Sequence, residues 1–237
     1  MPDIVHESAI DGQTRLILVN AVYFNGEWLK KFEANATREN DFHVSPTERV
    51  MVQMMYMEKK FYYGKSHNIK CQVIELPYAG DCLCMFIILP YQSVNLAEVE
   101  KKLTSDVLVN ARKRFRMASI EVEVWLPKFQ LDETLSLVEA LGGMGMKDLF
   151  VDGAADLSGV DGSHELYLSK ILHRAVVDIN EEGTEATAAT AMAYAACILP
   201  LNTPPQFRAD HPFLFFIQHK ATKSILFLGR LVKPPSA

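Results

Sequence analysis

Two runs in this sequence are apolar on both faces of any strand that they form. The first is LILVNAVYF (Leu16–Phe24), with Asn20 as its polar exception, and the second is CLCMFIILP, which starts at Cys82 and stops at Pro90. A strand with alternating residues can leave its polar face in water, but an apolar run needs cover on both faces. The two runs therefore predict two central strands that other parts of the chain cover from both sides.

The rest of the pattern predicts more strands and few helices. One helix is expected to begin at Asn95, because apolar residues recur with helical spacing from there to residue 107. A second, short helix is expected at residues 132–141. The expected strands lie at residues 120–127, at 166–179 and, as a hairpin around a polar turn, at 213–231. Because the sequence has no internal repeat and no linker, we expect one mixed domain, mainly of antiparallel sheet, over residues 1–237.

Charge and apolar content argue against several classes of function. The chain carries a formal net charge of −5, which disfavours a nucleic-acid-binding surface as its main role. Its longest apolar runs are too short to span a bilayer, and the opening MPDIVHESAIDG lacks the apolar core of a secretory signal. The four cysteines have no C-x-x-C spacing, so free thiols are expected and the compartment stays open.

The sequence lacks the motifs of enzyme chemistry. Its seven histidines are scattered and form no H-E-x-x-H or Cys/His cluster, so no metal or cofactor is expected. YGKS resembles the end of a phosphate loop, but Lys59 stands where the first glycine of that loop is required. Ser158, in ADLSGV, lacks the glycine of a nucleophile elbow. We therefore expect a protein that is not an enzyme.

Three polar features have both a functional and a structural interpretation. Asn20 lies inside an apolar run and needs a partner, for which His173 is a candidate, and a locally satisfied core amide is the alternative. Asn35 opens an N-glycosylation sequon, which has meaning only in a secreted chain. The run ARKRFR would suit a glycosaminoglycan, but a solvated helix end is favoured because the run is short and the chain acidic. The cations of this run are Arg112, Lys113, Arg114 and Arg116.

One long run of small residues fits neither a helix nor a strand. In NEEGTEATAATAMAYAACILP (residues 180–200), threonines and a tyrosine dilute the alanines, and no charged face accompanies them. A buried strand would need bulkier, branched residues. Side chains this small and uncharged are suited to tight packing in almost any environment.

With this run, the sequence resembles the serpin family along essentially its whole length. NEEGTEATAAT is similar to the serpin hinge, and five further motifs match the family in order: LVNAVYFNGEW, LPKF, AADLSG, ADHPFLFFI and SILFLGR. The stretch MMYMEKKFYYGKSHNIKCQVIELPYAG is most similar to ovalbumin-like and arthropod members. The resemblance implies an α+β serpin fold of mixed, largely antiparallel sheets with flanking helices.

The resemblance also implies that the N-terminal helices of the family and the first strands of its main sheet are absent. The chain begins just before the third strand of that sheet, so we expect an N-terminally truncated serpin domain. Apolar surface that those helices cover would be exposed. The 237-residue chain is therefore expected to aggregate or bind hydrophobic dyes, and to inhibit poorly.

A serpin offers a reactive loop, here expected at residues 181–200, to a protease as bait. After cleavage the hinge inserts as a new strand into the main sheet, which small uncharged side chains do without steric cost or buried charge. The resemblance places the scissile bond between Cys197 and Ile198, with Tyr194 and Leu199 as alternatives. The hinge residues are Glu181, Glu182, Gly183, Thr184, Glu185, Ala186, Thr187, Ala188, Ala189 and Thr190.

The family resemblance also assigns residues to the insertion gap. Leu16–Phe24 and residues 166–179 match the strands on its two sides, Asn20 and His173 match its polar pair, and Trp28 matches the aromatic residue at its top.

The implied function is inhibition of serine proteases as a suicide substrate. Apart from Glu185, no charged residue lies between Thr184 and Phe207, so the expected partners are chymotrypsin-, cathepsin-G- or elastase-like proteases, whose pockets are apolar. A non-inhibitory serpin, used for carriage, storage or chaperoning, or an inactive fragment is the alternative. The family resemblance leads us to expect a secreted, extracellular glycoprotein, with the cytoplasm as the alternative.

Overall fold

The computed structural model describes residues 4–5, 10–182 and 203–234. The chain forms two compact units, one made of residues up to Phe24 with Gln130–Asp178, the other of Asn25–Phe129 with the residues from Ile179 onward. A single domain over the whole chain stays a prediction. Within the described ranges, no helix is long and apolar enough to cross a membrane.

Strands dominate the fold, as the sequence pattern predicts. They are β1 (Leu16–Phe24), β2 (Arg38–His43), β3 (Arg49–Ser66), β4 (Cys71–Pro77), β5 (Leu83–Pro90), β6 (Ala118–Pro127), β7 (Phe129–Ser136), β8 (Leu168–Ile179), β9 (Gln206–Arg208), β10 (Phe213–His219) and β11 (Ile225–Leu231). The helices are α1 (Leu96–Glu100), α2 (Ser105–Val109), α3 (Ala111–Arg114), α4 (Val138–Gly143) and α5 (Ser158–Asp161). Single 3-10 turns lie at Ala34–Ala36 and Asp148–Phe150.

A three-stranded sheet, in the order β1-β8-β7, forms the first unit. Strands β1 and β8 are parallel, hydrogen-bonded neighbours, and Asn20 lies opposite His173 in their register. The two predicted strands that flank the insertion gap are thus directly adjacent here.

The prediction that other parts of the chain cover β1 on both faces is wrong for the described residues. Leu18 is 54% exposed and Val19 is 41% exposed. Because consecutive side chains of a strand point to opposite faces, apolar groups are in contact with solvent on both sides. The apolar pattern shows which side chains of a strand need to be buried, but it does not show whether another element covers them. No described element of the first unit buries Leu18 and Val19.

The second unit contains an eight-stranded sheet in the order β11-β10-β5-β4-β3-β6-β9, with β2 paired to β3. All of its pairings are antiparallel except β6 with β9. The predicted hairpin is confirmed, because β10 and β11 are adjacent and Phe215 lies opposite Gly229. A Cβ atom at Gly229 would lie 2.7 Å from Cζ of Phe215, so only glycine fits beneath this ring.

Strand β5 is almost entirely buried, as predicted, and α1–α3 cover one face of its sheet. Phe86 and Phe216 stack with ring centroids 4.8 Å apart, a contact worth roughly 0.5–1.5 kcal/mol beyond its buried area. The residues from these helices that join this core are Val99, Leu108, Ala111 and Phe115.

Two predicted helices differ from the observed ones. Asn95 does open α1, its side chain accepting from the amide of Ala97 at 2.9 Å, but the helix ends at Glu100. Thr104 then accepts from the amide of Val107 and starts α2, so a second N-cap divides the expected helix into two.

The helix expected at residues 132–141 is a strand up to Ser136. Pairing of β7 with β8 overrides the local acidic start, and Asp132 receives hydrogen bonds of 2.7 and 2.6 Å from Arg174 on β8. Only α4, which ends at Gly143, keeps the predicted helical state.

Candidate loop-anchoring site

The residues that follow β8 are fixed by backbone hydrogen bonds to the segment after β1. The amide of Trp28 donates to the carbonyl of Glu182 at 3.1 Å, and the amide of Phe32 donates to the carbonyl of Glu181 at 2.9 Å. The indole Nε1 of Trp28 donates to the carbonyl of Asn180 at 2.9 Å. Three consecutive carbonyls of the segment 180–182, which we call the hinge base, are therefore all bound.

Trp28 is the centre of this anchor. It is only 3% exposed, and its ring stacks on Tyr78 with centroids 4.5 Å apart and meets Phe32 edge-on at 6.3 Å. This packing holds the indole so that its single donor, Nε1, reaches the carbonyl of Asn180. The sequence position of Trp28 alone does not reveal this contact.

Glu181 adds an ionic lock to the hinge base. Its two carboxylate oxygens accept from the Thr37 hydroxyl and from the Lys128 ammonium, both at 2.8 Å. Burial by itself raises the pKa of Glu181, but the hydrogen bonds from Lys128 and Thr37 outweigh it and leave the pKa below its ordinary value of 4.5. The folded state thus favours the charged carboxylate at this position.

Acid should weaken this lock. A carboxyl whose pKa is lower in the folded than in the unfolded chain stabilises the fold above its unfolded pKa, and this stability is lost as pH falls through the folded pKa. We therefore expect the difference in unfolding free energy between the parent and Glu181→Gln to be largest near pH 7 and to shrink below about pH 4. Urea unfolding across this range measures it. A difference that stays constant with pH would show that the carboxylate charge contributes nothing.

Asn20 and His173 are in contact, on the neighbouring strands β1 and β8. Nδ2 of Asn20 lies 2.9 Å from Nδ1 of His173. With the amide as donor, this geometry places the proton of a neutral His173 ring on Nε2. The bond joins the two strands directly, as the family's polar pair would, while its role in strand opening stays a prediction.

The remaining hinge and reactive-bond predictions lie outside the described residues. They comprise Gly183, Thr184, Glu185, Ala186, Thr187, Ala188, Ala189, Thr190, Tyr194, Cys197, Ile198 and Leu199. Within the described ranges, the structure shows how the hinge base before Gly183 is held, and it shows β9 as the first strand after the loop.

Sequence reasoning did not identify three members of the anchor: Phe32, Thr37 and Lys128. In the sequence, Lys128 stands out only as part of the LPKF motif and Thr37 only as part of the glycosylation sequon, and neither motif indicates a contact with Glu181. Thr37 and Glu181 are 144 residues apart, so no local pattern could connect them.

Two of the four cations in the ARKRFR run already have carboxylate partners. Arg112 binds Glu75, whose side chain is 1% exposed, and Arg114 binds Asp106. Arg112 also lies over the ring of Tyr62, with Cζ 4.0 Å from its centroid. These contacts favour the structural interpretation for Arg112 and Arg114. Lys113 and Arg116 are exposed and make no ion pair within the described residues.

Comparisons with known proteins place the whole chain in one family. A family model described as "Serpin (serine protease inhibitor)" matches residues 1–234. The human leukocyte elastase inhibitor is 44% identical, with 99% of this chain and 62% of that protein covered, and the Xenopus tropicalis leukocyte elastase inhibitor is 43% identical with the same coverage. The chain therefore spans about three-fifths of the length of these relatives.

Solved structures agree with this assignment. Uncleaved ovalbumin is 33% identical with a TM-score of 0.84, covering 98% of this chain and 58% of ovalbumin. Serpin48 from the insect Tenebrio molitor is 35% identical with a TM-score of 0.82, covering 98% of this chain and 60% of that one. Both similarities include the sheets described above.

Proposed function

The chain belongs to the serpin family, and we propose that it inhibits serine proteases as a suicide substrate, by cleavage of the loop at residues 181–200 and its insertion between β1 and β8. The description of the matching family model names serine protease inhibition, which supports a role other than catalysis. The observation that carries the proposal is the parallel pairing of β1 with β8, at whose end the anchored hinge base begins.

Strand insertion at this place is energetically reasonable. A hinge that follows β8 and folds back along it would run antiparallel to both β8 and β1. One parallel interface would then be replaced by two antiparallel ones, in which the backbone groups of the inserted loop pair with both strands. The polar pair Asn20 and His173 is the side-chain contact that would have to open first.

The hinge composition supports the same mechanism. Alternate hinge positions must enter the packed side of the sheet, where volume and charge are both costly. Thr184, Ala186, Ala188 and Thr190 have one parity and are all small. Glu185 has the opposite parity, which would keep its charge on the other face.

The reactive bond is proposed at Cys197–Ile198, with Tyr194 and Leu199 as the alternatives. None of these residues would neutralise the buried carboxylate of a trypsin-like pocket, whereas apolar pockets accept them all. Two relatives carry the name leukocyte elastase inhibitor, which supports an elastase-like target, and chymotrypsin- and cathepsin-G-like enzymes share the apolar pocket.

Incubation of the full-length protein with a panel of proteases tests this proposal. We expect a detergent-stable covalent complex with elastase or chymotrypsin, and none with trypsin through cleavage inside the loop. A protease whose active-site serine has been blocked is the control, because it cannot form the acyl bond. Cleavage in the loop without any stable complex would instead indicate the non-inhibitory alternative, and covalent capture of trypsin in the loop would overturn the specificity.

Compartment and accessory partners are also proposals. Asn35 is exposed in the 3-10 turn Ala34–Ala36, which supports glycosylation if the protein is secreted, and Lys113 and Arg116 are the cations still open to a glycosaminoglycan. The cytoplasmic alternative is supported by the exposed free thiol of Cys82 and the buried free thiols of Cys71 and Cys84.

A further inference from the structure

A cavity of about 900 Å³ lies in the second unit, away from the hinge base. Its walls come from the end of β2, the connection from β5 to α1, the first turn of α1, the residues before β10 and the end of β11. The volume falls within the range of about 300–1,000 Å³ that is typical of small-molecule sites. Nothing in the proposed inhibitory mechanism uses this cavity.

Apolar side chains form much of the wall. Val44, Val94, Leu96, Pro212 and Val232 line the cavity, and Val232 is 41% exposed. Such a wall suits the alkyl or aromatic body of a ligand, which gains by leaving water.

One of the two acidic groups at the cavity is already compensated. Asp210 is 7% exposed, and its carboxylate oxygens lie 2.9 Å from His211 Nδ1 and 3.0 Å from Arg208 Nε. His211 Nε2 lies 2.9 Å from the carbonyl of Pro90. Asp210 therefore presents little uncompensated negative charge to a ligand.

Two of the remaining polar groups at the cavity, Arg230 and His43, can donate hydrogen bonds to a ligand. Arg230 is exposed, and the one ion pair that it makes within the described residues is with Glu100, at a long 3.4 Å between Nη1 and Oε1. The His43 ring makes no hydrogen bond or ion pair within the described residues. It lies near enough to Asp210 to help keep the pKa of that carboxyl below its ordinary value of 3.8, and the backbone amide of His43 donates to the carbonyl of Asp210 at 2.7 Å. A guanidinium carries five N–H donors, so most of those of Arg230 are free to bind a planar acceptor.

We propose that this cavity binds a small amphipathic carboxylate, whose carboxylate group pairs with Arg230 in place of Glu100 and whose apolar body lies against Val94, Leu96 and Val232. The pairing of a guanidinium with a carboxylate is bidentate and planar, which the long contact to Glu100 does not achieve. His43 supplies a second donor at the same cavity.

Because the ligand competes with Glu100 for Arg230, substitutions of these two residues should change the binding affinity in opposite directions. Decanoate, titrated into the protein by isothermal calorimetry at pH 7, should bind with one-to-one stoichiometry. Arg230→Gln should weaken binding by about tenfold or more, because it removes a charge-assisted pair. Glu100→Gln should tighten binding about threefold to tenfold, because it removes the competing carboxylate.

Two controls separate this site from general affinity for lipids or anions. Decanol, which lacks the carboxylate, should respond to neither charge variant, whereas Leu96→Gln should weaken both ligands. Lys59→Gln removes an exposed cation outside the cavity and should leave decanoate binding unchanged. The proposal is overturned if decanoate gives no saturable binding at about 1 mM, or if Arg230→Gln binds it as the parent does.

Discussion

Replacement of Thr184 by arginine in the full-length protein should convert the inhibitor into an ordinary substrate. On the proposed mechanism, Thr184 is the first side chain to enter the sheet after cleavage, so the change brings a long cation into a packed, low-dielectric space. An unpaired buried charge costs several kcal/mol, and overpacking adds about 1–3 kcal/mol. Since each 1.4 kcal/mol is a factor of ten in rate, insertion should slow by more than about a hundredfold.

The readout is the ratio of cleaved protein to covalent complex on a denaturing gel. Deacylation would precede insertion, so the Thr184→Arg variant should be cut at the same bond and release active protease. Glu185→Arg is the matched control, because its opposite parity keeps the new charge off the packed face. If both variants form as much complex as the parent, the insertion mechanism is wrong for this protein.

Reversal of the charge at the hinge base should have the second large effect. In Glu181→Lys, the hydrogen bond from Thr37 is lost and an ammonium group faces Lys128, where the parent has a contact of 2.8 Å. Glu181 is 9% exposed while the Lys128 side chain is 40% exposed, so we expect a loss of about 2–3 kcal/mol, somewhat below that for a fully buried pair. Denaturant unfolding of the protein measures this loss.

The double variant Glu181→Lys with Lys128→Glu tests whether the loss of stability comes from the ion pair. It restores opposite charges across the same contact and should recover more than half of the lost stability. Glu48→Lys is the control, because it reverses an exposed pair with Lys233 and should cost less than about 1 kcal/mol. A double variant no more stable than Glu181→Lys alone would show that the ion pair does not fix the hinge base.

Elements with strong local periodicity could be predicted from the sequence. The buried strand β5, the hairpin of β10 with β11 and the parallel partner strands β1 and β8 all appear where the apolar pattern placed them. Each depends on a continuous or alternating run of apolar residues along a single segment, which is visible without knowledge of the partner.

Features that depend on distant partners could not be predicted in this way. Strand β7 was expected to be helical because its acidic start is a local helix signal, whereas its pairing with β8 is a tertiary contact. Lys128 and Thr37 meet Glu181 only in the folded chain, and the exposure of Leu18 and Val19 depends on which elements cover β1. The contact between Asn20 and His173 was anticipated because an amide inside an apolar run requires a partner, and because the two residues match the polar pair of the family.

The distance between β1 and β8 tests the central claim most directly. Val19 and Leu172 are register neighbours on these strands, and spin labels introduced at both positions as non-canonical amino acids report the separation by pulsed electron paramagnetic resonance. Insertion of one strand moves two neighbouring strands from one strand spacing apart to two, an increase of about 5 Å. We predict this increase in the protein that has formed the covalent protease complex. An unchanged distance in that complex would contradict insertion between β1 and β8.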